Sequence, residues 1–101
     1  MSSRLITVYW RDIPAQVIAK KGRKTAKVQL SERFQVAIDR AAMRAGKGSS
    51  DHYLEDWRRE AKACSDDLDD EARVAAAQLE AQYPDDLLER LIKAGGQQAA
   101  D

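Results

Sequence analysis

The sequence predicts an α+β domain: a small antiparallel sheet, made of a strand and a hairpin, followed by three or four helices. Three observations carry that prediction. Residues Leu5 to Trp10 alternate in the manner of a strand, the runs on either side of Gly22-Arg23 mirror one another, and from Ser31 onward the apolar residues recur every three or four positions. Strand patterns come first and helical ones after, with no alternation of the two, which points away from a parallel α/β sheet. A chain of 101 residues makes one domain. We place it at residues 1–94, with the polar and small residues 95–101, G-G-Q-Q-A-A-D, as a disordered tail.

The first strand, Leu5 to Trp10, is rich in β-branched and aromatic residues, with Ile6, Val8 and Trp10 on one side and Leu5, Thr7 and Tyr9 on the other. Pro14 has no N–H to donate to a ladder, so Arg11-Asp12-Ile13-Pro14 is expected as a turn. Beyond it, a two-residue loop at Gly22-Arg23 suits a type II′ hairpin and sets a register: Lys21 opposite Lys24, Ala19 opposite Ala26, Val17 opposite Val28 and Ala15 opposite Leu30. One face is then apolar, while the other holds Gln16, Ile18 and Lys20 against Thr25, Lys27 and Gln29, the face of a sheet that meets water. The rival for residues 14–22 is a short helix capped by Asp12, with Pro14 in its first turn and Ile13, Val17 and Ile18 as its stripe.

Four helical segments follow. Ser31 caps the first, whose stripe is Phe34, Ala37, Ile38, Ala41 and Ala45 and whose stop is Gly46 and Gly48. The second begins at Ser50 or Asp51 and carries Tyr53, Leu54, Trp57, Ala61 and Cys64. The third begins near Asp67, with carboxylates in its first turn complementing the helix dipole, and buries Leu68, Ala72, Ala75, Leu79 and Tyr83. Pro84 opens the fourth, which shows Leu87, Leu88, Leu91 and Ile92 and ends at Gly95.

Composition narrows the function. The lone Cys64 excludes an internal disulfide and a cysteine-rich zinc cluster, in keeping with a reducing compartment, so a cytoplasmic location is expected. The N-terminal stretch is too short in apolar residues for a signal peptide or a membrane span, and no membrane role is expected. Net charge is zero, yet residues 1–48 carry 11 basic and 3 acidic side chains against 6 and 14 in residues 49–101. The two halves are expected to neutralise each other within one fold, with several of Arg11, Arg23, Lys24, Arg33, Arg40 and Arg44 within ion-pairing reach of Asp56, Glu60, Asp66, Asp69, Glu71 or Glu80.

Catalytic signals are thin. The single histidine, His52, has Asp56 on the same helix face, a spacing that could give two ligands to a metal shared between chains; acidic residues in a first helical turn are ordinarily there for the dipole. Gly46-Lys47-Gly48-Ser49-Ser50 lacks the spacing and the preceding strand of a phosphate loop and reads as a linker. Cys64 near a helix C-terminus is poorly placed for a thiolate. Neither catalytic residues nor a cofactor or metal are therefore expected. Partner contacts fall on two places: the hairpin tip with Lys20, Lys21, Arg23, Lys24 and Lys27, and the corner Trp10, Arg11, Asp12. The tip has a structural alternative, lysines that keep a sheet edge from pairing; so has the corner, with a buried indole and Asp12 holding the turn.

The strings I-T-V-Y-W-R-D-I-P-A-Q-V-I, L-S-E-R-F-Q-V-A-I-D-R-A-A-M and Y-L-E-D-W-R-R resemble the small bacterial virulence factor domain, related to a segment of conserved virulence factor C. The resemblance covers about residues 4 to 60. It implies a domain that occurs alone in proteobacteria, beside genes for folate- and corrinoid-dependent methyl transfer, and it brings no catalytic residues with it. The function expected is a non-catalytic interaction or accessory domain whose partner is another protein. A nucleic-acid-binding module using the basic hairpin 20–27 is the alternative, and an accessory role in methyl transfer a narrower form of the first.

Overall fold

The computed structural model describes residues 2–46 and 50–97, excepting the side chains of residues 50–52. Its elements are β1 (Ser3–Trp10), β2 (Ile13–Lys21), β3 (Lys24–Gln29), α1 (Glu32–Arg44), α2 (Ser50–Glu55), β4 (Trp57–Cys64), α3 (Leu68–Gln82) and α4 (Asp85–Lys93). The strands form one antiparallel sheet in the order β3-β2-β1-β4. This is an α+β fold.

The hairpin register is the expected one: Val17 faces Val28, Ala19 faces Ala26 and Lys21 faces Lys24, and the Leu30 amide donates to the Ala15 carbonyl at 3.1 Å. Gly22 sits at φ +59 as the first loop residue, which an L side chain adopts only with strain. The helical alternative for residues 14–22 is therefore set aside. The preceding turn is tighter than expected. Only Arg11 and Asp12 lie between β1 and β2, and Pro14 is inside β2 opposite Tyr9. A bulge between Val8 and Tyr9 breaks the ladder there, which is where a strand can hold a residue that donates nothing.

The largest difference lies at residues 57–64, expected as the later turns of a helix. The helix ends at Glu55, and Trp57–Cys64 pairs with β1 along all eight residues, Trp57 opposite Trp10 and Cys64 opposite Ser3. The Trp57, Ala61, Cys64 spacing fits a helix face, and Arg, Glu, Ala and Lys favour helix locally. Pairing with the open side of β1 outweighs that preference, because an edge strand needs few apolar residues of its own.

The core lies between the sheet and the helices. Leu5, Val17 and Ala19 from the sheet meet Phe34, Ile38, Ala72, Leu79, Leu88 and Leu91, with Trp10 and Ile13 fully buried at one end. The stripes expected for α1, α3 and α4 supply these residues. Gly95 and Gly96, expected in the tail, are buried as well; residues 98–101, and the stop at Gly48 with most of the 46–50 linker, lie outside the described residues. Among the described residues no helix is long and apolar enough to cross a membrane.

Candidate functional site: the open face of the sheet

Among the described residues, helices cover one face of the sheet only. Alternation places Arg4, Ile6 and Val8 of β1 on the other, and the register sets beside them Gln16, Ile18 and Lys20 of β2, then Thr25, Lys27 and Gln29 of β3, and Arg59, Ala61 and Ala63 of β4. Ile6, Val8 and Ile18 form a separate apolar cluster, joined by Trp57 and by no helical residue. Around it lie Arg4 and Lys20, directly opposite one another, Lys27 beside Ile18, and Arg59 beside Val8. All four cations are exposed, and none makes an ion pair among the described residues. No carboxylate stands on this face at any of the strand positions just named.

The arrangement joins an apolar centre to a cationic rim. Ile6, Val8 and Ile18 are between 7% and 9% exposed, which fits long basic side chains laying their aliphatic stems over them while the charges reach water. Towards β4 the face dips into a depression of about 470 Å³ lined by Val8, Gln16, Trp57, Arg58 and Arg59. Arg4 and Lys20 repel each other across the strands, as like charges directly opposite do, so an anion bound between them would relieve an existing cost.

The residues singled out from the sequence divide between this face and other places. Lys20 and Lys27 are on it. Lys21 and Lys24 point to the helical side, where Lys21 Nζ pairs with Asp66 at 2.8 Å. That contact, together with the Ser3 hydroxyl, holds the Asp66 carboxyl below the ordinary carboxylate range. Arg23, in the loop, is exposed.

Trp10, Arg11 and Asp12 build a closed corner. Trp10 is wholly buried, donates from Nε1 to the Tyr53 carbonyl at 2.8 Å and stacks on the Tyr53 ring, so it presents no surface to a partner in this conformation. Arg11 holds φ +53, an uncommon value for a side-chain-bearing residue. Its Nε lies 3.2 Å from Asp56 Oδ2, its Nη1 donates to the Gly95 carbonyl at 2.8 Å, and its guanidinium lies over the Trp10 ring. The Asp12 carboxylate accepts from Arg58, and its amide donates to the Gly96 carbonyl at 2.8 Å.

Other features are already satisfied internally. A groove of about 480 Å³ between α1 and α4 is bridged by the Arg33–Asp85 and Arg40–Glu89 pairs. The Cys64 thiol is pushed up by burial and by Glu71, the reverse of what an activated nucleophile requires. Asp56, half of the His52 metal spacing, is engaged with Arg11, while the His52 side chain lies outside the described residues. Among the described residues no three His, Cys, Asp or Glu side chains gather as a metal site.

Sequence reasoning finds the middle of the open face in the hairpin pattern. It misses Arg59, Trp57 and Ala61 because it reads β4 as helix, and Arg4 because the neighbour that makes it significant, Lys20, is known only from the register. A family model described as "Virulence factor" matches residues 8–92, and so takes in most of the acidic C-terminal third as well. No curated protein and no solved structure matches the chain.

Proposed function

The chain belongs to the virulence factor family, and from that premise we propose that it is a non-catalytic accessory domain of the cytoplasm that binds an acidic surface of another protein through the open face of its sheet. The observation that carries this reading is the grid of Arg4, Lys20, Lys27 and Arg59 around Ile6, Val8 and Ile18, on a face that no helix among the described residues covers. A protein interface is commonly an apolar centre inside a polar rim, and a rim of one charge sign selects partners of the other. Readers of single-stranded nucleic acid instead place aromatic rings where bases stack. The centre here is aliphatic, and the ring of Trp57 is turned edge-on to Tyr53 at 5.7 Å.

The test is affinity co-purification with the wild type and with Lys20→Glu/Lys27→Glu, both positions being exposed. The wild type is expected to retain an acidic protein that the variant loses, while both melt at the same temperature. In parallel, anisotropy of short single- and double-stranded oligonucleotides is measured at low salt. Oligonucleotide binding that weakens steeply with salt and is lost in the same variant would replace the protein reading with the nucleic-acid one.

A further inference from the structure

We propose that the free edge of β4 pairs with the same edge of a second copy, antiparallel about a two-fold axis through Ala61, to make one continuous eight-stranded sheet. This pairing is independent of which partner the open face takes.

Three observations lead to it. First, β4 is a long, regular edge. All eight residues are in register with β1, without a bulge, proline or glycine, so the one device left to guard this edge is the charge of Arg58, Arg59, Glu60 and Lys62. Second, the edge is accessible. The helices lie mainly over β2 and β3, and Arg58 to Ala63 are all exposed, so a neighbouring strand meets β4 before it meets a helix. Third, the charges of β4 allow one self-register and oppose those around it.

With Ala61 opposite Ala61, Glu60 faces Lys62 of the second copy and Lys62 faces its Glu60, while Arg59 faces Ala63 and Arg58 faces Cys64. A two-residue slip one way sets Glu60 against Glu60 and Arg58 against Lys62. Slipping the other way sets Lys62 against Lys62. A four-residue slip in the first direction pairs Arg58 with Glu60 but sets Arg59 against Arg59 and leaves only residues 57–61 overlapping, against 58–64 in the proposed register. Registers offset by an odd number put the two helical layers on opposite sides of the sheet. The opposite edge behaves differently: the charged residues of β3 are the lysines 24 and 27, with no carboxylate to answer them. Mixed charge that fits itself in one register is what a closed, isologous dimer needs. In that dimer both helical layers lie on one side, and the two cationic faces join into a single surface twice as wide.

Sedimentation velocity and light scattering test this on the full chain. The wild type is expected to dimerise. Glu60→Lys turns both Glu60–Lys62 pairings across the two-fold axis into lysine against lysine and should weaken the dimer by about tenfold or more, whereas Glu60→Lys/Lys62→Glu should restore it. Both substitutions are at exposed positions, and melting compared at dilutions where each protein is monomeric separates loss of pairing from loss of fold, including any effect of removing the Arg58–Glu60 contact. In a Cys64→Ser background, Ala61→Cys should oxidise readily to a covalent dimer, and Ala63→Cys, which faces Arg59, should not. A wild type that stays monomeric at high concentration would overturn the proposal. So would a dimer indifferent to Glu60→Lys, or one that Ala61→Cys fails to trap.

Discussion

At Gly96 a methyl group would stand 2.7 Å from Cζ3 of Trp10 and 3.1 Å from Cε3, and the backbone there holds φ +90. Both steric room and backbone conformation therefore require glycine. Gly96→Ala is expected to destabilise the fold by about 2 kcal/mol or more, because it combines overpacking with a disfavoured φ; urea denaturation followed by Trp fluorescence measures it. Asp12 is a milder case. Its contact with Arg58 is at 3.3 Å and partly exposed, so Asp12→Ala should cost about 1 kcal/mol and Asp12→Asn less. A loss above about 3 kcal/mol for the alanine variant would mean that the carboxylate does more than hold the corner. The burial of Trp10 and the reach of Arg11 toward the acidic half are legible in the sequence, since an indole and a guanidinium beside a turn have few other places to go. The part of Gly96 is not legible, because no local pattern shows which distant backbone will lie on a ring.

Among the elements, the sequence leaves residues 14–22 open between strand and short helix, but within the strand reading the register follows residue by residue, since a loop of known length fixes it and the apolar pairs share one face. β4 could not be read this way, because its helix-favouring residues leave pairing with β1 as the deciding term. Ala63→Val tests that assignment by the sign of its effect. A β-branched residue on an exposed strand position should stabilise by a few tenths of a kcal/mol, whereas in a helix it would destabilise by a similar amount. The start of α1 shows another long-range device. Ser31 makes no local cap and instead donates its amide and hydroxyl to the Glu80 carboxylate of α3, which Arg33 also contacts. Burial raises the Glu80 pKa, but the Ser31 and Arg33 contacts outweigh it and leave the carboxyl below the ordinary glutamate range. A lowered carboxyl pKa contributes stability that is fully present above the ordinary range and is lost as pH falls through the native value. Wild type should therefore lose stability on acidification in that window, and Glu80→Gln, less stable at neutral pH, should lose less; denaturant midpoints measured from neutral pH down through the carboxylate range give the difference.

For the molecule as a whole, the division of charge is settled internally only in part. Arg11–Asp56, Lys21–Asp66, Arg33–Glu80 and Arg40–Glu89 each join the basic half to the acidic one. Arg44 instead donates to the Lys93 carbonyl. Most of these contacts are exposed enough to be worth no more than about 1 kcal/mol each, and apolar burial holds the layers together. Stability should then change little between low and moderate salt, as thermal melts across ionic strength would show. A fall of more than about 2 kcal/mol on adding salt would mean that ion pairs carry the fold. The opposed halves are plain from the sequence. The surplus of cations on one sheet face becomes visible only when four strands, drawn from both halves, are laid side by side.

The shelf under Trp10 also orders events during synthesis. The indole belongs to β1, yet covering atoms for it come from Gly96, and the amide of Asp12 waits for the carbonyl of that same glycine. Until that glycine clears the ribosome, the N-terminal hairpin has a ring with one side uncovered and a turn with an amide unanswered. The corner therefore closes only when a segment far along the chain returns to it.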